Sequence, residues 1–118
     1  MEYRSLGRSG LRVSATGLGC NNLGRVGTAT QTQDGASSVV QAALDAGVTL
    51  FDTADVYGMS YGLSETLLGE ALRGRRDDVI IATKFGHVGI DSAIEGWGAR
   101  ASRRYIRKSV EESLRRLQ

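Results

Sequence analysis

The sequence predicts an α/β fold in which short parallel strands alternate with helices. Residues 48–52 and 78–83 form two apolar runs without regular polar alternation, which is typical of parallel strands covered on both faces. Stretches with helical periodicity follow both runs, as expected for successive β/α units. The 118 residues, with 41% hydrophobic and 24% charged side chains, correspond to a single domain at most. We therefore treat residues 1–118 as one structural unit.

The N-terminal segment predicts a β-hairpin over residues 2–14. Two strand-forming runs flank the turn-rich segment 7–10, which reads Gly-Arg-Ser-Gly. Residues 16–19 predict a short buried strand. A loop rich in glycine, asparagine and threonine then extends to about residue 33.

The first helix is predicted over residues 34–46. Asp34 is expected to cap its N-terminus, and Gly47 occupies the position that favours a left-handed residue after the last turn. The apolar stripe of this helix is predicted to contain Ala36, Val40, Ala43 and Leu44.

Two further helices follow the second and third strands. Ser64 is expected to open the second helix and Gly74 to close it, with Leu67, Leu68, Ala71 and Leu72 on its apolar face. Ser102 is expected to cap the last helix. One apolar face of that helix is predicted to contain Ile106, Val110, Leu114 and Leu117.

Composition and short motifs exclude several classes of protein. The single cysteine and single histidine argue against a zinc site and fit a reducing cytoplasm. The longest apolar run is four residues, far short of the roughly 20 that a membrane helix needs, and no signal peptide is expected. The motif Gly17-Leu18-Gly19 is not followed directly by a predicted helix, so the sequence lacks the dinucleotide-binding fingerprint. The net charge of +2 and the acidic residues within the last, arginine-rich helix argue against nucleic acid.

Three reactive side chains lie at the predicted C-terminal ends of the strands. Asp52 ends the second strand, Tyr57 follows five residues later, and Lys84 ends the third strand. Alone, each has a structural interpretation as a turn residue, a packing aromatic or a solvated strand end. Together they predict a proton-transfer site, because a lysine charge favours the ionised form of a neighbouring tyrosine and helps it to donate a proton near neutral pH.

Several motifs carry a family resemblance. These are Met1 to Leu11, Gly17-Leu18-Gly19, the run Leu50-Phe51-Asp52-Thr53-Ala54-Asp55-Val56-Tyr57-Gly58, then Ser64-Glu65, Leu68-Gly69 and Ala82-Thr83-Lys84. Over essentially the whole chain, the sequence resembles the aldo-keto reductases, in particular the bacterial branch similar to the potassium-channel β subunits. The resemblance implies the N-terminal portion of a (β/α)8 TIM barrel: a hairpin followed by about three β/α units.

The resemblance also implies an activity, namely the reduction of aldehydes and ketones with NADPH. Tyr57 would be the general acid, and Lys84 and Asp52 would tune it. Asp52 and the backbone around Cys20 and Asn21 would face the nicotinamide. Trp97 has two open interpretations: an aromatic wall of the substrate pocket, or an anchor for its loop.

The fourth catalytic residue of the family is a histidine after the fourth strand. This sequence ends where that strand is expected, and His87, on the loop after the third strand, is predicted to be an ordinary polar residue. A full barrel needs about 250 residues, so the isolated chain is expected to be inactive. Three interpretations are open: it pairs with a complementing chain or by self-association, it is a fragment of a longer protein, or it rearranges. The alternative is a non-catalytic remnant, or a nucleotide- or partner-binding module of the same fold.

Overall fold

The computed structural model describes residues 1–87 and 96–118. In these residues, two antiparallel strands form a hairpin and three parallel strands form a separate sheet, with helices after its strands. The elements are β1 (Tyr3–Ser5), β2 (Arg12–Ser14), β3 (Gly17–Gly19), α1 (Gln33–Asp45), β4 (Leu50–Asp52), α2 (Leu63–Ala71), a 3-10 turn (Arg76–Asp78), β5 (Ile80–Ala82) and α3 (Arg103–Leu117). The predicted hairpin and the alternation of strands and helices are confirmed.

The parallel sheet has the order β3-β4-β5, and the three residues of each strand lie directly beside those of the next. Phe51 pairs with Leu18 on one side and Ile81 on the other. These three residues lie on the face of the sheet that packs against the helices, and Phe51 is fully buried. The neighbouring row contains Asp52 and Ala82, which remain partly or largely exposed. The carboxyl ends of β4 and β5 therefore meet at an open mouth.

Helix α1 begins earlier than the sequence predicts. Thr32, and not Asp34, is the capping residue: its hydroxyl accepts a hydrogen bond from the amide of Gly35. Asp34 lies in the first helical turn, where its charge is still favourable. The predicted apolar stripe is correct, since Ala36 and Val40 are fully buried. Gly47 has the expected left-handed conformation, with φ of 85°.

Helix α2 also departs from the prediction at both ends. Gly62, with φ of 75°, precedes its first residue and provides no side-chain cap. Ser64 lies inside the helix, and its hydroxyl donates to the carbonyl of Cys20 at 2.8 Å. The helix ends at Ala71, so Gly74 belongs to the following turn and does not close the helix. Ser64 is thus a buried residue inside the helix and not the capping residue that the sequence predicts.

The last helix presents a different face from the one predicted. Ser102 caps it as expected, accepting from the amide of Tyr105. However, Ile106, Val110 and Leu114 are exposed. The buried residues are Tyr105, Ser109, Ser113 and Leu117. The close approach of α3 to α2 is at Gly69, where a Cβ atom would overlap the carbonyl oxygen of Arg116. Ser109 and Ser113 instead line a groove beside β5 together with Ile81 and Thr83.

The third strand is shorter than the predicted run 78–83. A 3-10 turn takes up Arg76–Asp78, and only Ile80–Ala82 are in the strand. These three residues are half-buried or exposed, unlike those of a strand covered on both faces. In the described part of the chain β5 pairs only with β4. None of the helices described is both long and apolar enough to cross a membrane.

Candidate active site

The end of the sheet brings Asp52 and Lys84 into direct contact. Lys84 Nζ donates to Asp52 Oδ1 at 2.6 Å and to the carbonyl oxygen of Thr53 at 2.8 Å. Burial lowers the pKa of Lys84, but the hydrogen bond and charge of Asp52, with further contributions from Tyr57, outweigh it, so the pKa is raised above its usual value. Lys84 is therefore a fixed positive charge at the mouth of the sheet.

Tyr57 lies beside this ion pair. The Lys84 ammonium is 5.0 Å from the centroid of the Tyr57 ring, within the range of a cation–π contact. The backbone of Tyr57 is held at both ends, because its amide donates to Ala54 and its carbonyl accepts from Ser64. The structure thus brings together the three side chains from which the sequence predicts a proton-transfer site.

Backbone hydrogen bonds beyond the strands determine this arrangement. The amide of Thr53 donates to Ala82, and the amide of Asp55 donates to Lys84, so the two segments continue side by side past β4 and β5. The chain then reverses at Gly58, whose φ of 93° suits glycine. A side chain at this position would overlap the carbonyl oxygen of Leu23.

Cys20 and Asn21 follow β3 at the same end of the sheet. Cys20 is fully buried, and its amide donates to the carbonyl of Asp52 at 2.8 Å. Burial, with a smaller contribution from the charge of Asp52, raises the pKa of the Cys20 thiol to about 12. Cys20 is thus a packed thiol and not a nucleophile. Asn21 is exposed and lines a surface cavity of about 400 Å³ together with Arg25, Val56, Gly58 and Met59.

Trp97 packs against other aromatic side chains. Its ring makes edge contacts with Tyr105 at 5.6 Å and with Tyr61 at 6.5 Å between centroids. Lys108 lies 5.5 Å from the same ring. These contacts favour the interpretation as a loop anchor, and a role in substrate binding stays a prediction. His87 is exposed, and its charge lowers the pKa of Asp55.

A buried charged cluster behind the site has no counterpart in the sequence predictions. Glu65 is fully buried, and its Oε2 accepts from Arg116 Nε at 2.7 Å. Asp55 is 1% exposed, and neither of its carboxylate oxygens has a hydrogen-bond partner in the structure as described. Burial, followed by the charge of Glu65, raises the pKa of Asp55 to about 6, against the opposing effects of Arg116 and His87. The one available sequence signal was Glu65 within an otherwise apolar helical face.

Comparison with known proteins decides which family this site represents. The model of the aldo/keto reductase family matches residues 15–118. The chain belongs to the aldo/keto reductase family. It is 41% identical to the aldo-keto reductase YhdN of Bacillus subtilis and 41% identical to the L-galactose dehydrogenase of Arabidopsis thaliana. Each alignment covers the whole chain but 35% of the relative.

A solved structure extends the comparison to the fold. The holo form of aldo-keto reductase AKR11C1 from Bacillus halodurans superposes with a TM-score of 0.81 and 42% sequence identity. This superposition covers 100% of the chain and 37% of the AKR11C1 chain. The predicted resemblance and the partial-barrel fold are confirmed: this aldo/keto reductase chain spans about a third of the length of its relatives.

Proposed function

We propose that the chain supplies the proton-donor part of an NADPH-dependent reductase of aldehydes or ketones. The observation that supports this most strongly is the contact of Lys84 with Asp52 at 2.6 Å, beside the ring of Tyr57. In the proposed reaction the Tyr57 hydroxyl donates its proton to the carbonyl oxygen of the substrate. Lys84 favours the tyrosinate that remains, and Asp52 holds Lys84 in place.

The residues at the mouth of the sheet fit a nicotinamide cofactor. Asp52 and Lys84 each keep 49% of their side-chain surface exposed, and Asn21 is exposed on the cavity beside the Tyr57 loop. Asn21 and Asp52 would hold the nicotinamide end, and the backbone at Cys20 would border it. When bound, NADPH supplies the hydride. Such a reductase, with one buried thiol, fits a reducing cytoplasm.

The test places this chain in a complete barrel, because it covers about a third of its relatives. Residues 1–118 would replace the matching segment of YhdN, and NADPH oxidation would be followed by absorbance with a panel of aldehydes. Changing Tyr57→Phe removes only the hydroxyl, so turnover should fall by about 10²–10⁴-fold, the usual contribution of one general acid. NADPH binding, measured by its fluorescence, should stay within a few-fold of the parent.

Tyr3→Phe provides the matched control. The Tyr3 hydroxyl donates to the carbonyl of Gly47 at 3.1 Å, on the hairpin side of the molecule, so its loss should leave turnover unchanged. Turnover that survives Tyr57→Phe would contradict the role of Tyr57. A parent chimera that binds NADPH but does not turn over would instead support the non-catalytic alternative.

A further inference from the structure

The buried carboxylate of Glu65 connects α2 with the end of β5 and with α3. Glu65, on α2, is fully buried. Its Oε1 accepts from the hydroxyl of Thr83 at 2.5 Å, directly after β5, and its Oε2 accepts from Arg116 Nε at 2.7 Å, near the end of α3. A buried carboxylate needs such partners, because removing one leaves an uncompensated charge in a dry environment.

Two glycines, one just before α2 and one within it, leave space for Arg116. A Cβ atom at Gly62 would lie 2.6 Å from Arg116 Cδ, and one at Gly69 would overlap the Arg116 carbonyl oxygen. The Arg116 side chain is only 14% exposed, and its guanidinium lies 4.8 Å from the ring centroid of Tyr61. Arg116 is therefore an interior group that two glycines accommodate, unlike the exposed arginines elsewhere on α3.

The hydroxyl of Thr83 transmits this arrangement to the active site. Thr83 directly precedes Lys84, at the point where β5 has ended and the chain is exposed. On one side, the backbone of Lys84 is tied to Asp55. The hydrogen bond from Thr83 to Glu65 ties the same turn to the helices. Together these contacts fix the direction from which the Lys84 side chain reaches Asp52.

We propose that Arg116 and Glu65 are positioning residues for Lys84. The buried ion pair holds Thr83, and Thr83 sets the backbone from which Lys84 contacts Asp52 and Tyr57. The catalytic meaning of this inference rests on the proposed function. The position and charge state of Lys84 can nevertheless be measured without any turnover.

The test uses the 118-residue chain and its only two lysines, Lys84 and Lys108. Competitive acetylation at constant pH, read by mass spectrometry, gives the reactivity of Lys84 relative to Lys108. In the parent, Asp52 keeps Lys84 protonated and unreactive. Arg116→Met should raise the Lys84 to Lys108 ratio by about three- to tenfold, because a loss of one pKa unit increases the unprotonated fraction about tenfold.

Matched variants separate positioning from general loosening. Arg115→Met changes the adjacent arginine, which is exposed and pairs with Glu112, and should leave the ratio unchanged. Thr83→Val removes only the connecting hydroxyl and should raise the ratio even if Arg116→Met does not fold. The double variant Glu65→Gln with Arg116→Met should restore the ratio towards the parent value, because an amide oxygen still accepts from Thr83 and position 65 no longer carries an unpaired charge.

Two results would overturn the proposal. One is a ratio within about twofold of the parent in Thr83→Val and in a folded Arg116→Met variant. The other is equal acceleration at Lys84 and Lys108, which would assign the pair a purely structural role. Neither result depends on reductase activity, which the Tyr57→Phe experiment tests separately.

Discussion

At the scale of single residues, Asp55 is a buried carboxylate whose ionisation is costly. Its carboxyl is 1% exposed without a hydrogen-bond partner in the described residues, and Glu65 lies close enough to disfavour its ionisation. Arg116 and His87 offset only part of this effect. The negative charge of Asp55 at neutral pH therefore opposes folding.

The pH dependence of stability should report this cost. The pKa of Asp55 is about 6 in the folded chain and 3.8 for an ordinary aspartate, so the folded state binds this proton more tightly. This residue's contribution to stability is therefore greatest below about pH 4, falls as pH rises towards 6, and is constant above that. Asp55→Asn should stabilise the chain at pH 7.5 by on the order of 2 kcal/mol and have little effect near pH 4.

Urea unfolding followed by fluorescence of Trp97, the single tryptophan, would measure this difference in dilute solution. Asp77→Asn is the control, since Asp77 is exposed on the 3-10 turn. An equal effect of Asp55→Asn at both pH values would show that Asp55 titrates as an ordinary aspartate in the folded state.

At the scale of elements, the approach of α3 to α2 depends on Gly62. Both Gly62 and Gly74 have left-handed backbones, with φ of 75° and 76°. A Cβ at Gly62 would press against the Arg116 side chain, whereas one at Gly74 meets nothing within 4 Å. The two positions therefore separate backbone strain from loss of the helix contact.

Alanine at each position should show this difference. Gly74→Ala should cost about 1 kcal/mol, the strain of a left-handed alanine, whereas Gly62→Ala should cost about 2–4 kcal/mol, because the buried Arg116 must also move. Urea unfolding of both variants would measure the two costs. Equal costs would mean that Arg116 adjusts without loss of its ion pair.

The sequence predicted the elements better than their contacts. The residues of α1 show why: its periodicity gave the buried stripe, but nothing local distinguishes Thr32 from Asp34 as the cap. For α3, the spacing of Ile106 and Val110 correctly gave an apolar stripe, yet periodicity does not reveal which neighbour covers a stripe. The contact of Asp52 with Lys84 could be predicted, because the ends of adjacent parallel strands lie side by side. Glu65 and Arg116 are 51 positions apart, and only the tertiary fold pairs them.

At the scale of the whole molecule, several large apolar side chains on and near α3 are exposed. Their exposed fractions are 43% for Phe85, 38% for Ile106, 47% for Val110 and 61% for Leu114. Phe85, Val110 and Leu114 line a groove of about 310 Å³ beside β5. Exposed apolar patches and unpaired strand edges promote association.

The isolated chain should therefore self-associate through these side chains. Sedimentation velocity should show oligomers for the parent, and Val110→Lys combined with Leu114→Lys should shift the distribution towards monomer. Val26→Lys is the control, because Val26 is 64% exposed in a distant loop. A monomeric parent that does not bind a hydrophobic dye would contradict this prediction.

The pairing of Glu65 with Arg116 also constrains the order of events during protein synthesis. After Glu65, the ribosome adds 51 residues to reach Arg116, which takes about 3–10 s at about 5–20 residues per second. Throughout that interval the nascent α2 carries a carboxylate whose cationic partner has not yet been made. Burying that charge without its partner carries a large penalty, so we expect the first two β/α units to complete their packing only once Arg116 is available. We therefore expect the loop that carries Tyr57 to reach its final packing late in synthesis.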